Sequence, residues 1–191
     1  MKHWKPAVIA ALWSGALYAA PMPVVASFSI LGDVAQQIGG ERVAVQSLVG
    51  ANQDAHAYNL TSGDIKKIRE ARLVLLNGLG LEKAELQRAV KQSKVASAEA
   101  TAGIKPLAAD EHHHEHNHGH DHDHGEFDPH VWNDPVLMHR YASTVAIALI
   151  KADPAGSRYY QQRFQDYQNV LNQLNNYANQ HFGSVAPAQR K

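Results

Sequence analysis

From Asp110 to Glu126 the chain holds no apolar side chain, and eight of those positions are histidine. A stretch of that composition cannot enter a core and is expected as a solvated loop, so a folded domain must be closed by the residues on either side of it. His112, His113, His114, His116, His118, His120, His122 and His124 alternate with Asp, Glu, Asn and Gly. Imidazole suits zinc, copper, nickel and cobalt, and the interleaved carboxylates attract a dication and offer it oxygen ligands. Each site on such a loop must first order the chain, so auxiliary, low-affinity binding of ill-defined stoichiometry is expected. In acid the loop becomes strongly cationic, and protons compete with metal.

Lys2 and Lys5 precede an apolar run, Pro6 to Tyr18, that is too short to span a bilayer comfortably. This reads as an export signal over residues 1–20, cleaved near Ala19 or Ala20, and predicts a periplasmic protein. Cysteine is absent. Disulfides, thiolate ligands and a lipobox are therefore unavailable, so no lipid anchor is expected and any metal must rest on His, Asp and Glu. Lys and Arg number 18 and Asp and Glu also 18, for a formal net charge of zero. With no basic stripe interleaved with aromatics, nucleic acid is set aside as a partner. About 170 residues would remain after export, enough for one α/β lobe.

Val24 to Ile30 reads as a strand, Leu31 to Ile38 as a helix stopped by Gly39-Gly40, and Val43 to Val49 as a second strand. A polar loop carrying His56 follows, then a helix capped by Thr61 or Ser62, a buried strand at 73–78 with a glycine exit, a helix over 82–91 and a strand at 95–97. Strands alternating with helices predict an α/β fold with a parallel sheet covered on both faces, whose ligands gather at the strands' carboxyl ends. The loops carrying His56 and the region after Leu107 leave from that edge. A helix is expected from Pro135 to Ala152, and a longer one after Pro154 with Tyr160, Phe164, Tyr167, Leu171, Leu174 and Ala178 as its core stripe. The expected organisation is a lobe over 21–153, a strut helix within 154–184 and a linker at 185–191.

Two histidines stand apart from the tract. His56 lies in Asp54-Ala55-His56-Ala57-Tyr58 and His130 in Asp128-Pro129-His130-Val131-Trp132, each two residues after an aspartate and each on the expected binding edge. Pro129 and Pro135 stiffen the second loop. Asp54 and Asp128 either orient the imidazoles or satisfy turn amides. Trp132 is expected as an apolar wall of the site, and His139 and His181 as structural or solvent-facing residues.

Asp54-x-His56-x-Tyr58 followed by Thr61 and Asp64-Ile65, the strand Leu73-Val74-Leu75-Leu76-Asn77-Gly78, and Asp128-Pro129-His130-Val131-Trp132-Asn133-Asp134-Pro135 together resemble a known family. They are similar to the zinc- and manganese-type periplasmic solute-binding proteins of bacterial metal ABC importers, the family of ZnuA and TroA. The resemblance implies two α/β lobes joined by a long rigid helix, with metal bound by the residues matching His56 and His130. It implies Zn2+, with Mn2+ as the alternative, since an intervening His/Asp-rich loop is typical of zinc-type members. It also implies delivery to an ABC permease membrane subunit, with no reaction catalysed and no small organic substrate. Ala55, Asn59-Leu60-Thr61 and Asn133 depart from the common pattern without removing a ligand. Residues 184–191 resemble the segment just before the second lobe, so the second lobe is expected to be absent. The expected consequences are an under-coordinated ion, exposed apolar surface on the strut, weaker binding and some self-association.

Two other readings make different demands. A metal buffer or chaperone acting through the tract alone would not need His56 or His130. A zinc hydrolase would need three protein ligands, an open water position and a general base, and the sequence has no His-Glu-x-x-His pair. An adhesion module is only an analogy at the level of fold.

Overall fold

The computed structural model describes residues 20–105, 107, 127–186 and 189. Residues 1–19 of the expected signal and all of the expected loop at 110–126 lie outside the described residues.

Four strands, β1 (Met22–Phe28), β2 (Val43–Val49), β3 (Leu73–Leu76) and β4 (Ala96–Glu99), form one parallel sheet in the order β2-β1-β3-β4. The helices are α1 (Ser29–Gly39), α2 (Ser62–Glu70), α3 (Ala84–Ser93), α4 (Pro135–Ala152) and α5 (Ser157–Phe182). Because strand side chains alternate, Val24, Ala26, Phe28, Leu73 and Leu75 face one apolar cluster, shared with α1, α4 and α5. Val25, Val74 and Leu76 face another, shared with Ile68 of α2 and with Leu86 and Val90 of α3. Both faces are buried, and so the central strands read as continuous apolar runs.

The helices begin where the chain supplies caps. Thr61 Oγ1 accepts from the Asp64 amide and the Asp64 carboxylate accepts from the Thr61 amide, a reciprocal box that starts α2. Asp134 accepts from the Val136 amide at 2.7 Å with Pro135 at the first helical position, which starts α4 at the expected residue.

After Pro154 the chain turns into α5, and Asp153 anchors that corner. Its Oδ2 accepts from Arg42 Nε and Nη2 at 3.0 and 2.7 Å and from the Tyr160 hydroxyl at 2.7 Å. The 26 residues of α5 span about 39 Å at about 1.5 Å per residue. Its expected core stripe divides. Tyr160 and Leu171 are buried and Phe164 and Tyr167 half-buried, but Leu174 is 50 % exposed. Leu174 is thus a correction: the last turns of α5 run past the surface that buries Leu171, and Tyr177 and Phe182 are exposed there as well. Among the described residues no helix is long and apolar enough to cross a membrane.

Candidate metal site

The parallel order 2-1-3-4 puts a topological switch beside β1, and the loop after β2, which carries His56, meets there the segment after β4, which carries His130. Phe28 closes β1, and its ring lies 4.8 Å from that of Trp132. Trp132 in turn meets the His130 ring edge-on at 5.1 Å.

His56, on the loop after β2, and His130, 74 positions further along, bring their Nε2 atoms to 3.2 Å. Both side chains are exposed, so an ion can reach them from solvent. Two lone pairs at that distance repel unless a proton or a cation lies between them. Two nitrogens bound to one tetrahedral zinc at about 2.05 Å lie about 3.3 Å apart. Ligands at right angles on an octahedral ion with bonds of about 2.1 Å lie about 3.0 Å apart. The observed spacing falls between these edges, so the pair suits a shared ion without selecting zinc over manganese.

The two aspartates differ. Asp128 Oδ1 accepts from the His130 amide at 2.9 Å and lies 2.7 Å from His130 Nδ1. An ionised carboxylate can only accept, so Nδ1 carries the proton and Nε2 presents its lone pair outward. The Asp128 carboxyl is held below its usual range by the His130 amide first, against a smaller opposing effect of burial, with the ring adding to the lowering. Asp54 Oδ1 accepts from the His56 amide at 2.8 Å, a turn bond that fixes the loop but not the ring.

The His56 loop is tied down by residues whose roles the sequence did not disclose. The Tyr58 hydroxyl donates to Asp64 Oδ2 at 2.6 Å, joining the loop to the cap of α2. Burial, then Asp64, pushes the Tyr58 phenol up to about 12. Burial would raise the Asp64 carboxyl, but hydrogen bonds from Thr61, Tyr58 and Lys67 outweigh it and hold it at about 2. On the other side, Asn77 is fully buried at the exit of β3 and donates to the Pro129 carbonyl at 3.1 Å. A buried amide ending an apolar strand was the available signal for it. Gly78 follows at φ +89°, where an added Cβ would lie 2.6 Å from Thr101 Oγ1, so the predicted glycine exit is sterically required.

His139 is half-buried on α4, and His181 stacks on Tyr177 near the end of α5, with Nδ1 2.9 Å from the Tyr177 carbonyl. Neither approaches the pair. The tract histidines lie outside the described residues, but the chain on its two sides meets at one point: the Asp128 amide donates to the Leu107 carbonyl at 3.0 Å. Among the described residues no group of three or more His, Cys, Asp or Glu is arranged to hold an ion.

Residues 24–191 match the family described as zinc-uptake complex component A, periplasmic, or ZnuA. The chain belongs to this family. Among the curated proteins it is similar to the manganese ABC transporter substrate-binding lipoprotein PsaA of Streptococcus anginosus, 30 % identical over 170 residues, which are 89 % of this chain and 54 % of that protein. It is also similar to the zinc-binding protein TroA of Treponema pallidum, 31 % identical over 168 residues, 88 % of this chain and 51 % of the relative. Among solved structures, the Mn-bound periplasmic metal-binding protein of Candidatus Liberibacter asiaticus is similar, with a TM-score of 0.66 and 32 % identity over 77 % of this chain and 52 % of that one. This chain spans about half the length of the curated relatives it matches. These ZnuA-family relatives are named for binding and transport, not for catalysis, and their names divide between manganese and zinc.

Proposed function

We propose that this ZnuA-family chain captures a divalent metal ion as cargo in the periplasm, between the imidazoles of His56 and His130, for delivery to the membrane permease of an ABC importer. Zinc is the preferred ion and manganese the alternative. The single observation that supports this reading is the 3.2 Å approach of the two Nε2 atoms, from loops 74 positions apart.

The chain's own residues perform three tasks in this reading. Asp128 keeps the His130 proton on Nδ1, so the lone pair at Nε2 faces the ion. The His56 ring must carry its own proton on Nδ1 for its Nε2 to bind the same ion. Trp132, backed by Phe28, lies edge-on against the His130 ring and gives that side of it an apolar neighbour. Two imidazoles fill two of the four positions of a tetrahedral zinc, and the others stay open to further ligands. Zinc is preferred because the pair is nitrogen-only and the sequence carries a histidine tract, whereas manganese favours oxygen donors.

A buffer working through the tract alone makes the opposite demands on the same residues, so calorimetry separates the two readings. One zinc-binding event that survives deletion of residues 110–126 and disappears in His130→Ala is expected. Loss on deletion, with His56→Ala and His130→Ala unchanged, would favour the buffer. A hydrolase is disfavoured by Asp128, because the carboxylate beside the pair is committed to His130 and is not free to act as a base.

A further inference from the structure

The segment between β3 and α3 touches both histidine loops, one from each of its ends. At its start Asn77 Nδ2 donates to the carbonyl of Pro129, the residue before His130, at 3.1 Å and to the Gly78 carbonyl at 3.0 Å. Asn77 Oδ1 accepts from the Tyr141 hydroxyl at 3.0 Å, which fixes the orientation of the amide. At its end the Lys83 ammonium donates to the Ala57 carbonyl at 3.2 Å and to Asn59 Oδ1 at 3.1 Å, within three residues of His56. Buried Glu82 locks the two ends together, its carboxylate oxygens accepting from the Asn77 and Gly78 amides at 2.6 and 3.0 Å.

Ala55, Tyr58 and Leu60 pack in part against the apolar clusters, but His56 itself is exposed and the loop stands over open space. A cavity of about 280 Å3 separates it from the sheet and α3, lined among others by Ser27, Ala55, Tyr58, Leu81 and Leu86. Ser27 Oγ, buried at the end of β1, has no hydrogen-bond partner among the described residues, so this floor offers the loop no contact through it. Packing that leaves a cavity beneath the loop fixes it only in part, and its polar ties supply the rest.

We propose that residues 77–83 form a bracket that sets the spacing of the two imidazoles, Asn77 positioning His130 and Lys83 positioning His56. The inference rests on the metal reading above. Neither side chain touches the ion. Their effect is to make the pair preorganised, so that capture does not carry the cost of ordering the His56 loop.

The test is a zinc titration of the full chain followed through the imidazole 15N resonances of His56 and His130, in the parent, Lys83→Met and Lys66→Met. Lys66 is the control, an exposed lysine whose partner is Glu70 on α2. In the parent both rings should respond together at one zinc concentration. In Lys83→Met the midpoint should rise about tenfold and the two responses should separate, with the urea midpoint of the protein unchanged. Lys66→Met should match the parent. Asn77→Asp, which turns the donor facing Pro129 into an acceptor, should displace the His130 response; if that variant does not fold, Lys83→Met decides. Coincident, unshifted responses in Lys83→Met would overturn the bracket and leave the metal pair standing. Rings that ignore zinc in the parent would overturn the pair, and the bracket with it.

Discussion

Asp128 and His130 are joined twice through a single oxygen: Oδ1 meets the His130 amide at 2.9 Å and the ring Nδ1 at 2.7 Å. One carboxylate therefore sets both the backbone turn and the tautomer that turns Nε2 toward His56. Asp128→Ala should weaken metal binding about tenfold to a hundredfold, the usual effect of losing such a partner. Asp54→Ala, whose carboxylate holds only the amide of His56, should cost less. Competition against a chromophoric chelator measures both, and equal losses would show that the ring contact has no special role.

Acid should act on the scaffold as well as on the ligands. Asp64 titrates at about 2 in the folded chain, below the roughly 3.9 of an unfolded aspartate. A depressed carboxyl contributes stability that is fully present above the unfolded value and is lost as pH falls through the folded one. The window is therefore from about pH 4 down to about pH 2, and the contribution is about 2–3 kcal/mol. Asp64→Asn should lower the urea midpoint at pH 6 but flatten its dependence on pH in that window. An unchanged pH profile in the variant would contradict the assignment.

The buried amide of Asn77 should be sensitive to its partner. Tyr141→Phe removes the hydroxyl that donates to Asn77 Oδ1 and leaves that oxygen unpaired in the core, at a cost of about 1–3 kcal/mol by urea unfolding. Burial, chiefly, raises the Tyr141 phenol, so the hydroxyl stays neutral and its loss should cost the same at pH 6 and pH 9. A loss that grew with pH would mean that the hydroxyl ionises.

Two leucines on one face of α5 should behave differently. Leu171 is 5 % exposed and Leu174 is 50 % exposed. Leu171→Ala should destabilise by about 2–3 kcal/mol, and Leu174→Ala by less than about 0.5 kcal/mol. Thermal unfolding of the two variants tests where the lobe ends along the helix.

The sequence was most legible where one local rule decided the outcome. β2 falls at Val43–Val49 and α4 at Pro135–Ala152, as read from an apolar run ending at glycine and from an amphipathic segment between Pro135 and Pro154. The pairing of His56 with His130 followed from a fold-level rule, that loops at the carboxyl ends of parallel strands share an edge. What could not be read were contacts that only tertiary structure creates. Lys83 looked like any solvated lysine, and its reach to Ala57 and Asn59 depends on how α3 docks beside the loop. Leu174 obeyed the helical period of its neighbours, yet the period does not say where the opposing surface stops. Asp54 and Asp128 stood in the same pattern in sequence, and only the ring orientation of each histidine separated their roles.

In the proposed function one ion is shared by the imidazoles of His56 and His130. Crystals of the full chain grown with zinc, with diffraction recorded on both sides of the zinc absorption edge, test it most directly. An anomalous peak about 2.0–2.1 Å from Nε2 of both His56 and His130 is expected. A peak bound to one ring alone, or no peak at the pair while zinc is held elsewhere on the chain, would contradict it.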